Sequence, residues 1–316
     1  MFAVRGFAVS FSMFVLLYCV LSLAVCCFWQ RLWVYSQRHS ARHGADLLFA
    51  LRVFPLGAAA AVTLAFTIPS FLLLEPRAIE EPMGSIPLVL GSCGLVLAMF
   101  GAVNAALAVM KASRTIAAWA DEAKVIDTKA SIPVLRIARV IPALTAAGIL
   151  RPKVLLSGAA EFVLNEYELQ TALRHEVAHV RRRDNLKKLI LRLVAFPGMQ
   201  GLETAWLEST EMAADDAAVS NVVEALDLAA ALIKLSRLGP AEPPAELTTA
   251  LVHSPVSSMN ARIERLIAWP DERRVPTQKC SSLYGLGVTL AVVAGFAVTY
   301  SELLVRVHTA TEWLVR

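Results

Sequence analysis

The chain has 316 residues, is 57% hydrophobic and carries 30 basic against 26 acidic side chains, a net charge of +4. A mean hydropathy of +0.58 is too high for an ordinary soluble fold. The small basic excess is explained by membrane-flanking Arg and Lys and gives no ground for nucleic-acid binding.

Four long apolar stretches predict membrane spans, at roughly Phe7–Phe28, Val53–Leu74, Ile86–Met110 and Leu283–Val305. Each is long enough to cross a hydrocarbon core of roughly 30 Å as helix. The first reads as an uncleaved anchor, because its run is too long for a signal peptide and no small-x-small cleavage site follows. The stretch before Cys26 has bulky Val25 where a lipoprotein site needs a small residue. None of the first three spans contains Asp, Glu, Lys or Arg, which weakens an ion-coupled transport reading. Pro55 and Pro69 are expected to kink the second span.

Basic residues set the expected orientation. Arg31, Arg38, Arg42 and Arg52 follow the first span with Asp46 as the only acid, whereas EPRAIEEPMGS after the second is acidic. Lys111 and Arg114 follow the third. The N-terminus and the short tail Arg306–Arg316 are therefore expected outside, in a bacterial inner membrane. Cys19, Cys26, Cys27 and Cys93 fall in spans and Cys280 at a border, so disulfides are not expected. Three parts result: a membrane domain at 1–112 with three spans, a cytoplasmic domain at 113–279, and a fourth span with its external tail at 280–316.

Within the cytoplasmic region, residues 113–125 read as a helix continuing out of the third span. Ser131–Ile141 is rich in β-branched residues and predicts one or two strands, and Lys153–Ser157 predicts a short strand ended by Gly158. Asn165 with Glu168 three residues on is a helix-start signal, reinforced by Glu166. From there Leu169, Leu173, Val177 and Val180 form one apolar helical face, with His175 and His179 about 200° away from it. Further helices are expected over about Asn185–Phe196, Leu202–Val223, Leu226–Leu238 and Asn260–Ile267, with LGPAEPPAEL as a Pro-rich loop.

The helix contains HEVAH. Its spacing stacks His175 and His179 on one side, where both imidazoles can hold one Zn2+, and Glu176 stands beside the first ligand as a general base. Catalytic zinc takes three protein ligands and leaves a fourth position for water. EMAAD supplies a candidate third ligand, Glu211, with Asp215 one helical turn on to fix the tautomer of a ligand histidine. Ala213 and Ala214 between them would let two helices approach closely.

The run VLLSGAAEFVLNEYELQTALRHEVAHVRRRDNL, followed by EMAADDAAV, resembles the integral-membrane gluzincins, most closely the BlaR/MecR-type antirepressor metallopeptidases and more distantly the HtpX-like proteases. The motif agreement covers Val154–Val219. By that resemblance His175, His179 and Glu211 bind zinc, Glu176 is the catalytic base, and Asp215 and Asp184 are supporting residues. The implied fold is a mainly α membrane protein whose α+β gluzincin domain lies between the third and fourth of four spans. Zinc would polarise the scissile carbonyl and acidify its water, Glu176 would move the proton to the leaving amine, and Val154, Leu155, Leu156 and Ser157 would align an extended substrate.

Two departures stand out. BlaR-type sensors carry a large external β-lactam-binding domain where this chain has about ten residues, and AFPG (Ala195–Gly198) replaces an aromatic-His-Pro turn. The implied activity is a regulatory endopeptidase acting on a cytoplasmic or membrane-near protein, either a repressor or the chain itself. The alternative from another class is a non-catalytic membrane scaffold or signal transducer with a structural zinc.

Other candidates have plainer readings. His253 is a loop histidine before it is an oxyanion donor. His39 and His43 belong to the Arg-rich loop, and His308 in the tail has no evident partner. Arg181, Arg182 and Arg183 lack the aromatic platform of a nucleic-acid site and suit lipid phosphates or nearby acids.

Overall fold

The computed structural model describes residues 2–36, 40–75, 84–120, 123–126, 132–137, 143–238, 247–250, 256–270 and 299–313. They fall into two compact units. One comprises Met1–Cys27, Val53–Met99 and Arg273–Arg316; the other comprises Phe28–Arg52 and Phe100–Glu272.

The apolar sequence folds as α1 (Phe2–Ser36), α2 (Ala41–Val62), a π-helical turn (Thr63–Thr67), α3 (Ile68–Leu74) and α4 (Ser85–Ala120). Three continuous stretches, Phe2–Val34, Ala41–Leu74 and Ser85–Trp119, are long and apolar enough to cross a membrane. Each runs beyond the apolar segment legible in the sequence, because a helix continues through polar flanks. The π turn ends two residues before Pro69, the residue that cannot donate to the carbonyl of Ala65. That carbonyl instead accepts a hydrogen bond from the Tyr300 hydroxyl at 2.8 Å. Close helix contact in the first unit depends on Gly94, where a Cβ would collide with the Val15 side chain. The fourth expected span, Leu283–Val305, lies mostly outside the described residues, its end belonging to a helix over 299–313.

The second unit is built on a five-stranded sheet: β1 (Lys124–Ile126), β2 (Val134–Ile137), β3 (Leu144–Ala147), β4 (Lys153–Ser157) and β5 (Thr248–Ala250). Its order is β1-β2-β4-β3-β5, with β2 and β4 parallel and the other pairs antiparallel. Strand alternation sends Val134, Val154 and Leu156 into the main core, and Leu135, Ile137 and Leu155 to the opposite face against Trp119 of α4. A strand covered on both faces reads as a continuous apolar run, which is why KVLLS was legible.

The same topology corrects the expectation for Val154–Ser157. Strand β4 pairs with β2 on one edge and β3 on the other. Its backbone has no edge for an added strand, and Val154, Leu155, Leu156 and Ser157 are core residues. The expected helix over 113–125 also ends early, at Ala120, with Lys124–Ile126 as edge strand β1. Strands β3 and β5 were not foreseen, because short alanine- and threonine-rich runs carry little pattern.

Helices α5 (Gly158–Val163), α6 (Glu166–Arg182), α7 (Asp184–Leu193), α8 (Gln200–Ala218), α9 (Val222–Ser236) and α10 (Val256–Ile267) complete this unit. The Asn165 side chain caps the Glu168 N–H while the Glu168 side chain caps the Asn165 N–H, so α6 starts with both halves of a capping box. Its face Leu169–Leu173 packs on the core formed with α9. The histidine face is covered as well: His175, Glu176, Val177, Ala178 and His179 are all buried. Lys187 of α7 pairs with Asp46 of α2 at 3.0 Å and sits over the Phe49 ring.

Candidate metal centre

Helix α6 brings His175 and His179 together, their Nε2 atoms 3.1 Å apart. Helix α8 presents Glu211 against them, with Oε2 3.6 Å from His175 Nε2 and Oε1 3.5 Å from His179 Nε2. Buried Ala213 and Ala214 on α8 let it approach this closely. The three side chains form a group whose ligand atoms lie within 4.8 Å of one another and that could hold a metal ion.

The outer nitrogens both stand beside carboxylates, and the His179 pair also meets hydrogen-bond geometry. His175 Nδ1 lies 3.0 Å from Asp215 Oδ1, and His179 Nδ1 lies 2.8 Å from Asp184 Oδ2. Asp184 reaches His179 through a sharp local turn: Arg183, between α6 and α7, adopts the left-handed conformation with φ 56°. This costs a non-glycine residue about 1–2 kcal/mol.

With each Nδ1 beside a carboxylate, the tautomer protonated at Nδ1 leaves the two Nε2 atoms facing one another as metal ligands. Once His175 gives up the second proton that Asp215 and Glu211 favour, two Nε2 lone pairs 3.1 Å apart can share a cation. Ligands 2.0–2.1 Å from a tetrahedral zinc stand about 3.3 Å apart, so the 3.1–3.6 Å spacings fit such an ion.

Glu176 points towards β3, where its Oε2 accepts the Ala146 backbone N–H at 2.7 Å. Its Oε1 is buried and has no hydrogen-bond partner among the described residues. Burial raises its pKa to about 8 against the opposing pull of His175. Burial also disfavours charge on His175, but Asp215 and Glu211 outweigh it and raise that pKa to about 9. For Glu211, burial is overcome by His179, Arg262 and His175, which hold its pKa at about 2. Burial dominates at His179 and lowers its pKa.

One residue of this site was missed from the sequence. Arg262 of α10 is fully buried; it grips Asp215 and places Nη1 3.0 Å from Glu211 Oε2. A signal existed: Ser258, Arg262, Leu266 and Trp269 recur at spacings of four, four and three, putting a guanidinium in a buried stripe that only an acidic partner makes tolerable. Lys188 of α7 is partly buried, with its pKa lowered by desolvation, and donates to the Thr248 carbonyl at 2.8 Å.

The structure thus brings His175, Glu176, His179, Asp184, Glu211 and Asp215 together and leaves Val154–Ser157 in the sheet interior. His43 is bonded to Ser40 at 2.6 Å. His39 and His253 lie outside the described residues. No protein-family model matches the chain, and no curated protein is significantly similar to it. Fold and site define a class: a helix-rich membrane protein with a small sheet domain and a buried His-His-Glu group able to hold a metal ion.

Proposed function

We propose that the chain is an integral-membrane zinc endopeptidase that cleaves a cytoplasmic or membrane-proximal protein in a regulatory pathway, either a repressor-like protein or itself. The observation that carries this reading is the pair of facing Nε2 atoms, each ring backed by its own carboxylate, with Glu211 as third donor. Two imidazoles and one carboxylate suit zinc, and a three-ligand set is the catalytic rather than the structural pattern. A zinc ion held there would supply Lewis-acid polarisation of a carbonyl and acidification of water.

The chain's own residues do the rest. Asp215 and Asp184 fix the tautomers and ring orientations of His175 and His179. Glu176 is anchored by one oxygen, and the other has no partner among the described residues, so it is positioned to accept a proton from water and deliver it to the leaving amine. A structural metal site has no use for such a base, which favours peptidase over scaffold.

The resemblance to BlaR/MecR-type peptidases, the apolar stretches and the distribution of Arg and Lys together support the finer reading. It comprises four spans, an inner-membrane location, both termini outside, a gluzincin domain over 113–279 in the cytoplasm, and lipid rather than nucleic-acid contacts. Replacing Glu176→Gln is expected to leave zinc content unchanged and to abolish cleavage of the chain or of co-expressed partners. Unchanged turnover in that variant would end the peptidase reading, and zinc retained after His175→Ala would end the metal assignment.

A further inference from the structure

The first unit holds a second group of metal-type ligands. Glu75 follows the end of α3, and His308 and Glu312 lie one turn apart on the helix over 299–313. His308 Nε2 stands 3.5 Å from Glu312 Oε1 and 3.9 Å from Glu75 Oε2. The three ligand atoms lie within 4.8 Å of one another.

These separations are too long for hydrogen bonds, which fall at about 2.7–3.2 Å. The 3.5 Å pair is close to the spacing of about 3.3 Å set by donors 2.0–2.1 Å from a shared tetrahedral ion, and the 3.9 Å pair needs a small inward shift of Glu75 to reach it. The His308 imidazole is set between the two carboxylates with its Nε2 towards both. The His308 side chain is only 15% exposed, and its Nδ1 has no hydrogen-bond partner among the described residues. Its Nε2 is aimed between two carboxylates without bonding either. Glu75, 10% exposed, is held from behind: Arg5 Nη2 sits 3.1 Å from Oε1, leaving Oε2 to face His308. A carboxylate clamped through one oxygen and offered through the other is how ligating carboxylates are commonly supported.

We propose that Glu75, His308 and Glu312 form a second divalent-cation site, selective for a zinc-type transition metal. The imidazole disfavours hard cations such as Ca2+ and Mg2+, and one nitrogen with two oxygens suits borderline ions. Such an ion ties the helix over 299–313 to the end of α3. In the topology proposed above both segments emerge externally, although the site itself does not depend on that orientation.

The test is zinc content per chain of the full-length protein in detergent, after dialysis against buffered free Zn2+. Two ions are expected for the native chain, one for His308→Ala, one for His175→Ala and none for the double variant. Glu312→Gln, a milder change on a half-exposed residue, should retain the fold and weaken the second binding event at least ~10-fold. If His308→Ala and Glu312→Gln bind as much zinc as the native chain, the cluster is an ion-pair network and the proposal is overturned. That result would leave the His175 site untouched, and a failure confined to His175→Ala would leave this one standing.

Discussion

Arg262 holds Asp215 through two nitrogens at once, Nε to Oδ2 at 2.8 Å and Nη2 to Oδ1 at 2.7 Å, with both side chains fully buried. Asp215 in turn faces His175, so a helix 40 residues or more further along the chain sets the position of a candidate metal ligand. Arg262→Met strands a buried carboxylate and should cost about 3–5 kcal/mol of stability. Zinc affinity should fall about 10–100-fold, as for loss of other supporting groups. Arg262→Lys keeps the charge without the fork and should fall between the two. Thermal unfolding in detergent and zinc titration read both effects; native values in the Met variant would show that the pair is dispensable.

Proton competition sets the pH dependence of metal uptake. Without metal, His175 keeps a proton up to about pH 9, because Asp215 and Glu211 outweigh the burial that opposes it. The charged neighbours in this environment include His179 and Glu176 on α6, Asp184 and Lys188 on α7, Glu211 and Asp215 on α8, and Arg262 on α10. A raised histidine pKa stabilises the metal-free fold fully below about 6.5, and that contribution is lost as pH rises through 9. Metal must displace the same proton, so apparent zinc affinity should rise about tenfold per pH unit from 7 to 8. A flat profile in buffered zinc titrations would contradict this assignment.

The capping box on α6 is a local device with a local cost. Asn165→Ala removes one cap of the metal-bearing helix and should lower stability by about 1 kcal/mol. Glu168→Ala removes more, because its Oε2 accepts both the Asn165 N–H at 2.9 Å and Lys234 Nζ at 2.8 Å. The ranking of the two in thermal unfolding is the check: equal losses would mean that the Lys234 bridge contributes nothing.

Leu155 separates packing from substrate alignment. It is completely buried in the interior strand β4 against Trp119 and Leu135. Leu155→Ala should cost about 2–5 kcal/mol through the cavity it leaves. In steady-state cleavage at a temperature where the variant is folded, KM should remain native. A raised KM with unchanged stability would restore β4 as a substrate strand.

By itself the sequence determined whatever depends on neighbours within a turn or two, or on composition. The i,i+4 histidines, the adjacent base, the Asn165 cap and the apolar helices are all of this kind, because helix periodicity and bilayer thickness act locally on the chain. Only the tertiary structure decided which carboxylate backs which histidine. Asp184 reaches His179 because Arg183 turns left-handed, and Asp215 reaches His175 because two alanines let α8 close on α6. The structure likewise placed KVLLS inside the sheet, brought Arg262 under the site, and set His308 between two carboxylates. Each is a pairing between distant segments, and an isolated residue pattern holds no record of which partner a buried charge will find.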